Sequence, residues 1–183
     1  MRRRALLAAS GGGGGADYTP IDYVTFDGST IFDTGVYGNH TLTIEVKFRR
    51  TYTNSDVYLY GVSVNPRLSA YLGASGYWRY SERASLTFNT NNTILTEATV
   101  TPTHTRVGSY RRGYTISSFI TKYTIPLGGH TPSSGVPMPE FIGEVYYFRM
   151  SVDGEYILDW TPAIKDGVEG FWDSVTNTFI APL

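Results

Sequence analysis

The chain has 183 residues, 41% of them apolar and 15% aromatic, with a formal net charge of −1. That length suits one all-β domain of up to roughly 200 residues, and the balanced charge gives no reason to expect nucleic acid as the main partner. There is no cysteine, which excludes structural disulfides, thiolate catalysis, zinc–thiolate sites and a lipoprotein anchor, and no apolar run approaches the ~18 residues of a membrane-spanning helix.

The first segment reads MRRRALLAAS followed by five glycines, Gly11 to Gly15. Arg2, Arg3 and Arg4 hold three of the fifteen basic residues, leaving 12 basic against 16 acidic in the rest. Basic residues ahead of apolar ones suggest an export signal. However, the apolar stretch at 5–9 is shorter than the ~7–15 residues such a signal uses, and polyglycine follows at once. The plain reading is a disordered tail. The sharper reading is an arm that docks on a larger partner: arginine forks grip acidic surfaces, Leu6 and Leu7 fit an apolar groove, and the glycines form a flexible tether. The chain therefore divides into an arm, 1–15, and a body, 16–183.

The body reads as strands. A short one is expected at 23–26. Residues 41–49 set Leu42, Ile44, Val46 and Phe48 against Thr43, Glu45, Lys47 and Arg49, and this period of two marks a half-buried strand. Shorter strands are expected at Val57–Val62, Leu68–Leu72, Tyr77–Tyr80, 85–88, 105–110 and 114–119, punctuated by Gly, Asn, Asp and Pro. Residues 128–139 are rich in Gly, Pro and Ser and read as a surface loop. Residues 141–152 place Phe141, Gly143, Val145, Tyr147 and Arg149 on one face, and Ile142, Glu144, Tyr146, Phe148 and Met150 on the other. Both faces look largely apolar, which predicts a central strand covered on both sides. Asp153-Gly154 supplies a two-residue hairpin turn into a strand at 155–160, and a last strand is expected at 179–180. No segment keeps a 3.6 period.

Both ends carry ordered motifs. Tyr23-Val24-Thr25-Phe26-Asp27-Gly28 leads to Ile31-Phe32-Asp33-Thr34-Gly35. Later come Val145-Tyr146-Tyr147-Phe148-Arg149-Met150, Leu158-Asp159-Trp160-Thr161-Pro162, Gly170-Phe171-Trp172-Asp173 and Asn177-Thr178-Phe179. This order resembles the concanavalin A-like, laminin-G-type jelly-roll modules of phage structural and tail proteins, whereas residues 50–140 match only in general character. The resemblance implies an all-β, two-sheet antiparallel jelly-roll sandwich with an extended N-terminal arm. In such a fold the first and last strands share a sheet, so matching signals at both ends fit its topology. Gly35 and Gly170 would serve tight turns. The Asp-Gly dipeptides at 27, 153 and 166 read as turn chemistry.

Jelly rolls also host glycoside hydrolases, which need paired carboxylates. Glu140 and Glu144 form the one close pair on an expected strand, with Cα atoms roughly 13 Å apart; retaining enzymes want carboxyls about 5–5.5 Å apart and inverting ones about 6.5–9.5 Å. The Glu-x-Asp-x-Glu pattern of retaining jelly-roll glucanases fails here at Ile142. His40, His104 and His130 are scattered and form no metal-binding spacing. Asp56 near Asn54, and Asp33 near Asn39, are oxygen-rich candidates for calcium, but loop solvation is the better reading of both. No metal or cofactor is assigned.

Binding is the better reading. Tyr77, Trp78, Arg79 and Tyr80 lie between glycines; alternation sends Tyr77 and Arg79 one way and Trp78 and Tyr80 the other, so one pair faces the core and one can stack on a sugar or touch a partner. Arg106, Arg111 and Arg112 with Tyr110 and Tyr114 form a second basic-aromatic group suited to a ligand or a subunit interface. The resemblance implies a non-enzymatic virion component. Arg2, Arg3, Arg4, Leu6 and Leu7 would anchor it to capsid or tail proteins. The domain would face outward toward a host-surface glycan or other subunits, and homotrimers are common in such proteins. The rivals are a secreted or cell-surface lectin and, further off, a glycoside hydrolase.

Overall fold

The computed structural model describes residues 18–52, 55–73, 77–80, 84–87, 94–115 and 117–183, with backbone alone at 77–80 and 84–87. The arm at 1–15 lies outside the described residues. Among those residues the chain is all β, in this order: β1 Thr19–Pro20, β2 Val24–Asp27, β3 Phe32–Asn39, β4 Leu42–Arg50, β5 Val57–Val62, β6 Leu68–Leu72, β7 Tyr77–Tyr80, β8 Ala84–Thr87, β9 Thr96–Val100, β10 His104–Val107, β11 Tyr110–Gly113, β12 Ile120–Leu127, β13 Gly129–His130, β14 Met138–Pro139, β15 Ile142–Val152, β16 Glu155–Lys165, β17 Val168–Asp173 and β18 Thr178–Ile180.

The larger sheet runs β11-β10-β9-β4-β15-β16-β17-β18. The smaller runs β3-β12-β5-β6-β7-β8, and every strand pairing in both is antiparallel. The two ends of the chain meet in the larger sheet: β2 pairs the first half of β15, and β1 pairs the far end of β16. Facing apolar side chains from both sheets share one core. Its centre is aromatic, with Phe32 edge-on to Phe171 (5.0 Å between centroids), Trp160 stacked on Phe171 (5.4 Å) and Tyr60 against Phe148 (5.6 Å). Such pairs add to the area term that drives sheet packing. In β4 the alternation continues one residue past the expected strand. Arg50 takes a buried phase, and its guanidinium donates to Ser55 O and to Gly73 O (3.3 Å).

Several expectations are corrected. The described residues of the expected strand at 114–119, namely 114, 115 and 117–119, are not strand. Tyr114 instead donates its hydroxyl to Thr101 O (2.5 Å) and His104 O (3.1 Å). The expected strand at 105–110 is the hairpin of β10 and β11, turning at Gly108 with φ +56°. The strand after Asp153-Gly154 runs on to Lys165, through Pro162. Residues 128–131 are buried, not a surface loop: Gly128 N–H reaches Leu59 O (2.7 Å), and Thr131 N–H reaches Gly61 O (2.9 Å). Gly170 lies within β17 and serves no turn. It is glycine because a Cβ there would stand 2.3 Å from Ile180 O of the neighbouring strand. The turn that closes this hairpin is organised by Asp173, whose carboxylate accepts from Asp159 N–H, Val175 N–H and the Thr176 hydroxyl.

The central correction concerns β15. Val145 pairs with Phe48, and Tyr147 already pairs with Lys47, so Tyr146 is an extra residue, a β-bulge. The bulge switches the phase of the strand. Before it, Phe141 and Val145 point into the core; after it, Phe148 and Met150 do. β15 is central within its sheet, but among the described residues no apolar layer covers its other face. That face presents Glu144, Tyr146, Tyr147 and Arg149.

Candidate functional site

The outer face of the larger sheet is built by strand alternation. In β4, Leu42, Ile44, Val46 and Phe48 are buried, so Glu45, Lys47 and Arg49 point away from the core. In β9, Ala98 and Val100 are buried and Glu97 and Thr99 face out. Register then aligns these residues in rows: Tyr147, Lys47 and Glu97 in one, and Asp159, Arg149, Glu45, Thr99, Arg106 and Arg111 in the next.

The charges of this face around the β15 bulge are locked. Arg49 makes a two-pronged pair with Glu144, donating from Nε to Oε2 (2.8 Å) and from Nη2 to Oε1 (2.6 Å), while the Tyr146 hydroxyl donates to the same carboxylate (2.7 Å). Arg149 Nε donates to Asp159 Oδ1 (2.6 Å), and Ser174 donates to Oδ2 (2.9 Å). The Arg149 guanidinium lies 4.8 Å from the Tyr147 ring centre and 5.7 Å from that of Tyr156, whose hydroxyl donates to Glu45 (3.1 Å). Tyr23 leans on Tyr146 at 5.4 Å.

Burial and the hydrogen bond to Glu144 push the Tyr146 phenol up to about 12. Burial, then Glu97 and Glu45, also push Tyr147 up. These phenols stay neutral at physiological pH, so the charge of the face comes from its arginines, lysine and carboxylates. Beside the tyrosines a cleft of about 400 Å³ opens over Lys47, Leu95, Glu97, Thr99, Arg106 and Gly108. The whole arrangement offers several aromatic rings, oriented donors and fixed carboxylates on one accessible surface. That chemistry suits a polyhydroxylated ligand.

The structure distributes the sequence candidates unevenly. Arg111 stands opposite Arg106 on this face at the sheet edge, and Arg112 alternates to the other side, also exposed. Burial, then the charge of Arg111, hold the neighbouring His104 imidazole below its usual range. Tyr77, Trp78, Arg79 and Tyr80 form β7, between β6 and β8; their side chains lie outside the described residues, as do Arg2, Arg3, Arg4, Leu6, Leu7 and Asn54. Glu140 and Glu144 engage different partners: Glu144 is held by Arg49 and Tyr146, whereas Glu140 accepts from Tyr58 N–H (3.1 Å) and lies 3.3 Å from His130 Nδ1. Asp33 and Asn39 each accept from backbone N–H groups two residues on, at Gly35 and Thr41. Asp56 accepts from the Tyr71 hydroxyl.

Tyr146, Tyr147, Arg149, Tyr156, Glu45 and Asp159 were not singled out from sequence. A signal did exist: Val145 and Phe148 are three apart, and both can be buried on one face of a strand only if an extra residue intervenes. The chain matches no protein-family model, and no curated protein matches it.

Proposed function

We propose that this chain is a non-enzymatic structural component of a bacteriophage virion whose jelly-roll sandwich presents a glycan-binding face, with Arg2, Arg3, Arg4, Leu6 and Leu7 anchoring it to capsid or tail proteins. The observation that carries the binding half is the outer face around the β15 bulge, where tyrosine rings alternate with ion-paired carboxylates and arginines. Stacking needs flat rings held at fixed orientation, and hydroxyl recognition needs donors and acceptors that are already in place. The salt bridges and cation–π contacts described above supply both. The virion half rests on the ordered motifs at the two chain ends. The convergence of those ends in the larger sheet supports the jelly-roll reading, and a homotrimer is part of the same picture by analogy.

The test has two arms. Wild-type protein is screened on a glycan array together with Tyr147→Ala, where truncation of a central aromatic anchor is expected to cost about 2 kcal/mol, roughly thirtyfold in Kd. Equal retention of both proteins, or of neither, refutes the face. Mass spectrometry of purified particles then counts copies of the chain against the major capsid protein, and a chain lacking residues 1–15 is expected to fold but to be lost from particles. Absence of the intact chain from particles would make a soluble lectin the better reading.

A further inference from the structure

The tyrosine face is not electrically uniform. Toward β11, Arg106 projects between buried Thr105 and Val107, and its register partner across the hairpin is Arg111, so two guanidiniums share one face. Like charges placed directly opposite each other oppose strand pairing. Arg106 Nε donates to Gly108 O (3.0 Å), which fixes the side chain over the cleft. Among the described residues neither arginine forms an ion pair with a carboxylate; the nearby Glu97 is taken by Lys47 at 2.9 Å. The cleft and its rim therefore hold Lys47, Arg106 and Arg111 against one carboxylate. Toward β15 and β16 the outward-facing arginines have acids: Arg49 has Glu144 and Arg149 has Asp159.

We propose that the Arg106–Arg111 pair is an anion subsite, and that the ligand of this face is an acidic polysaccharide bearing carboxylate or phosphate groups. The inference rests on the glycan-face reading and sharpens it to a substrate class. Arginine forks bind such groups through paired, charge-assisted hydrogen bonds. Adjacent strands lie about 4.8 Å apart, so Arg106 on β10 stands three strands, about 14 Å, from Tyr147 on β15 and four strands, about 19 Å, from Tyr156 on β16. The ligand is thus an oligosaccharide long enough to lie across β16, β15, β4, β9 and β10, with its neutral faces over Tyr147 and Tyr156 and an acidic group at the far end. The shared anion chemistry leaves two sources, a uronate-type carboxylate and a phosphodiester.

The experiment uses the full chain on an array of matched oligosaccharides: each backbone with its carboxylates free, with them methyl-esterified, and with phosphate in their place. Wild type is expected to bind an anionic form at least about tenfold more tightly than its neutral partner at low salt, with the preference shrinking at high salt. In Arg106→Gln/Arg111→Gln the preference disappears, so that charged and neutral forms bind alike; Arg106→Lys/Arg111→Lys retains part of it. Whether the carboxylate or the phosphate form prevails identifies the source. Equal wild-type binding of charged and neutral forms overturns the subsite and leaves the glycan face standing, whereas binding of neither form overturns both. Sedimentation of the glutamine variant supplies the structural control. A wild-type multimer that dissociates in the variant assigns the two arginines to a contact between copies and overturns the proposal.

Discussion

Replacing Arg149 with Met removes the guanidinium that links Tyr147, Tyr156 and Asp159 while keeping most of the side-chain volume. A hydrogen bond between charged groups contributes about 1.5–3 kcal/mol when buried. Here the two side chains are 34% and 21% exposed, which brings the figure toward 1 kcal/mol. Two cation–π contacts at a half-exposed site add about 0.5 kcal/mol each. The sum, about 2 kcal/mol, corresponds to a Tm decrease of about 4–8 °C for a chain of this size. A urea-denaturation cycle with Asp159→Asn isolates the pair and is expected to give a coupling of about 1 kcal/mol. Asp159 keeps its Ser174 partner in the Met variant, so no carboxylate is stranded. A Tm within about 1 °C of wild type, with coupling near zero, would refute the claim that this arginine organises the face.

Gly170→Ala is expected to push β18 away from β17, because the new methyl collides with backbone at Ile180 and with the Phe179 ring. A loss of about 1–3 kcal/mol, with hydrogen exchange rising first at 178–180, is the predicted result; unchanged protection there would contradict it. Asp27 accepts from the backbone N–H and hydroxyl groups of Ser29 and Thr30, and these bonds hold its carboxyl near 2 against 3.8 normally. A depressed carboxylate stabilises the fold above its unfolded pKa and ceases to do so as pH falls through the folded value. The stability difference between wild type and Asp27→Asn should therefore be constant above about pH 5, shrink between about 4 and 2 and level off below. A difference independent of pH from 6 to 2 would refute this. Phe171→Ala, at the centre of the aromatic core, is expected to cost about 3–5 kcal/mol, read from the urea midpoint; a loss below about 1 kcal/mol would show that the core can close over the site.

Strands with clean alternation were legible in advance. β4 announced itself through Leu42, Ile44, Val46 and Phe48, and β5, β6 and β7 fell at their expected limits because Gly, Asn and Pro bound them. β9 and β12 escaped notice for physical reasons. Thr96–Val100 is mostly polar because one side is outer face, and Ile120–Leu127 carries Pro126 and two register shifts that break any period of two. Residues 128–131 read as surface because they are Gly-rich, yet those glycines are what lets the backbone pack against β5 and Phe26. The candidate face depended on pairing between distant strands. Glu45, Arg149 and Asp159 are 104 and 10 residues apart along the chain and adjacent only in register.

The layout of β16 has a mechanical consequence. One end of this 11-residue strand carries Tyr156 and Asp159, the other pairs with β1, where Tyr18 stacks on Trp172 at 4.2 Å. Tension applied between a ligand held on the outer face and the chain leading into Tyr18 would travel along a single strand and leave the smaller sheet out of the load path. The weakest link on that path is β1, with two register pairs, Thr19–Ile164 and Pro20–Ala163. Under a pull it would peel first and release a short length of slack, like a fuse, before any strand that lines the core is loaded.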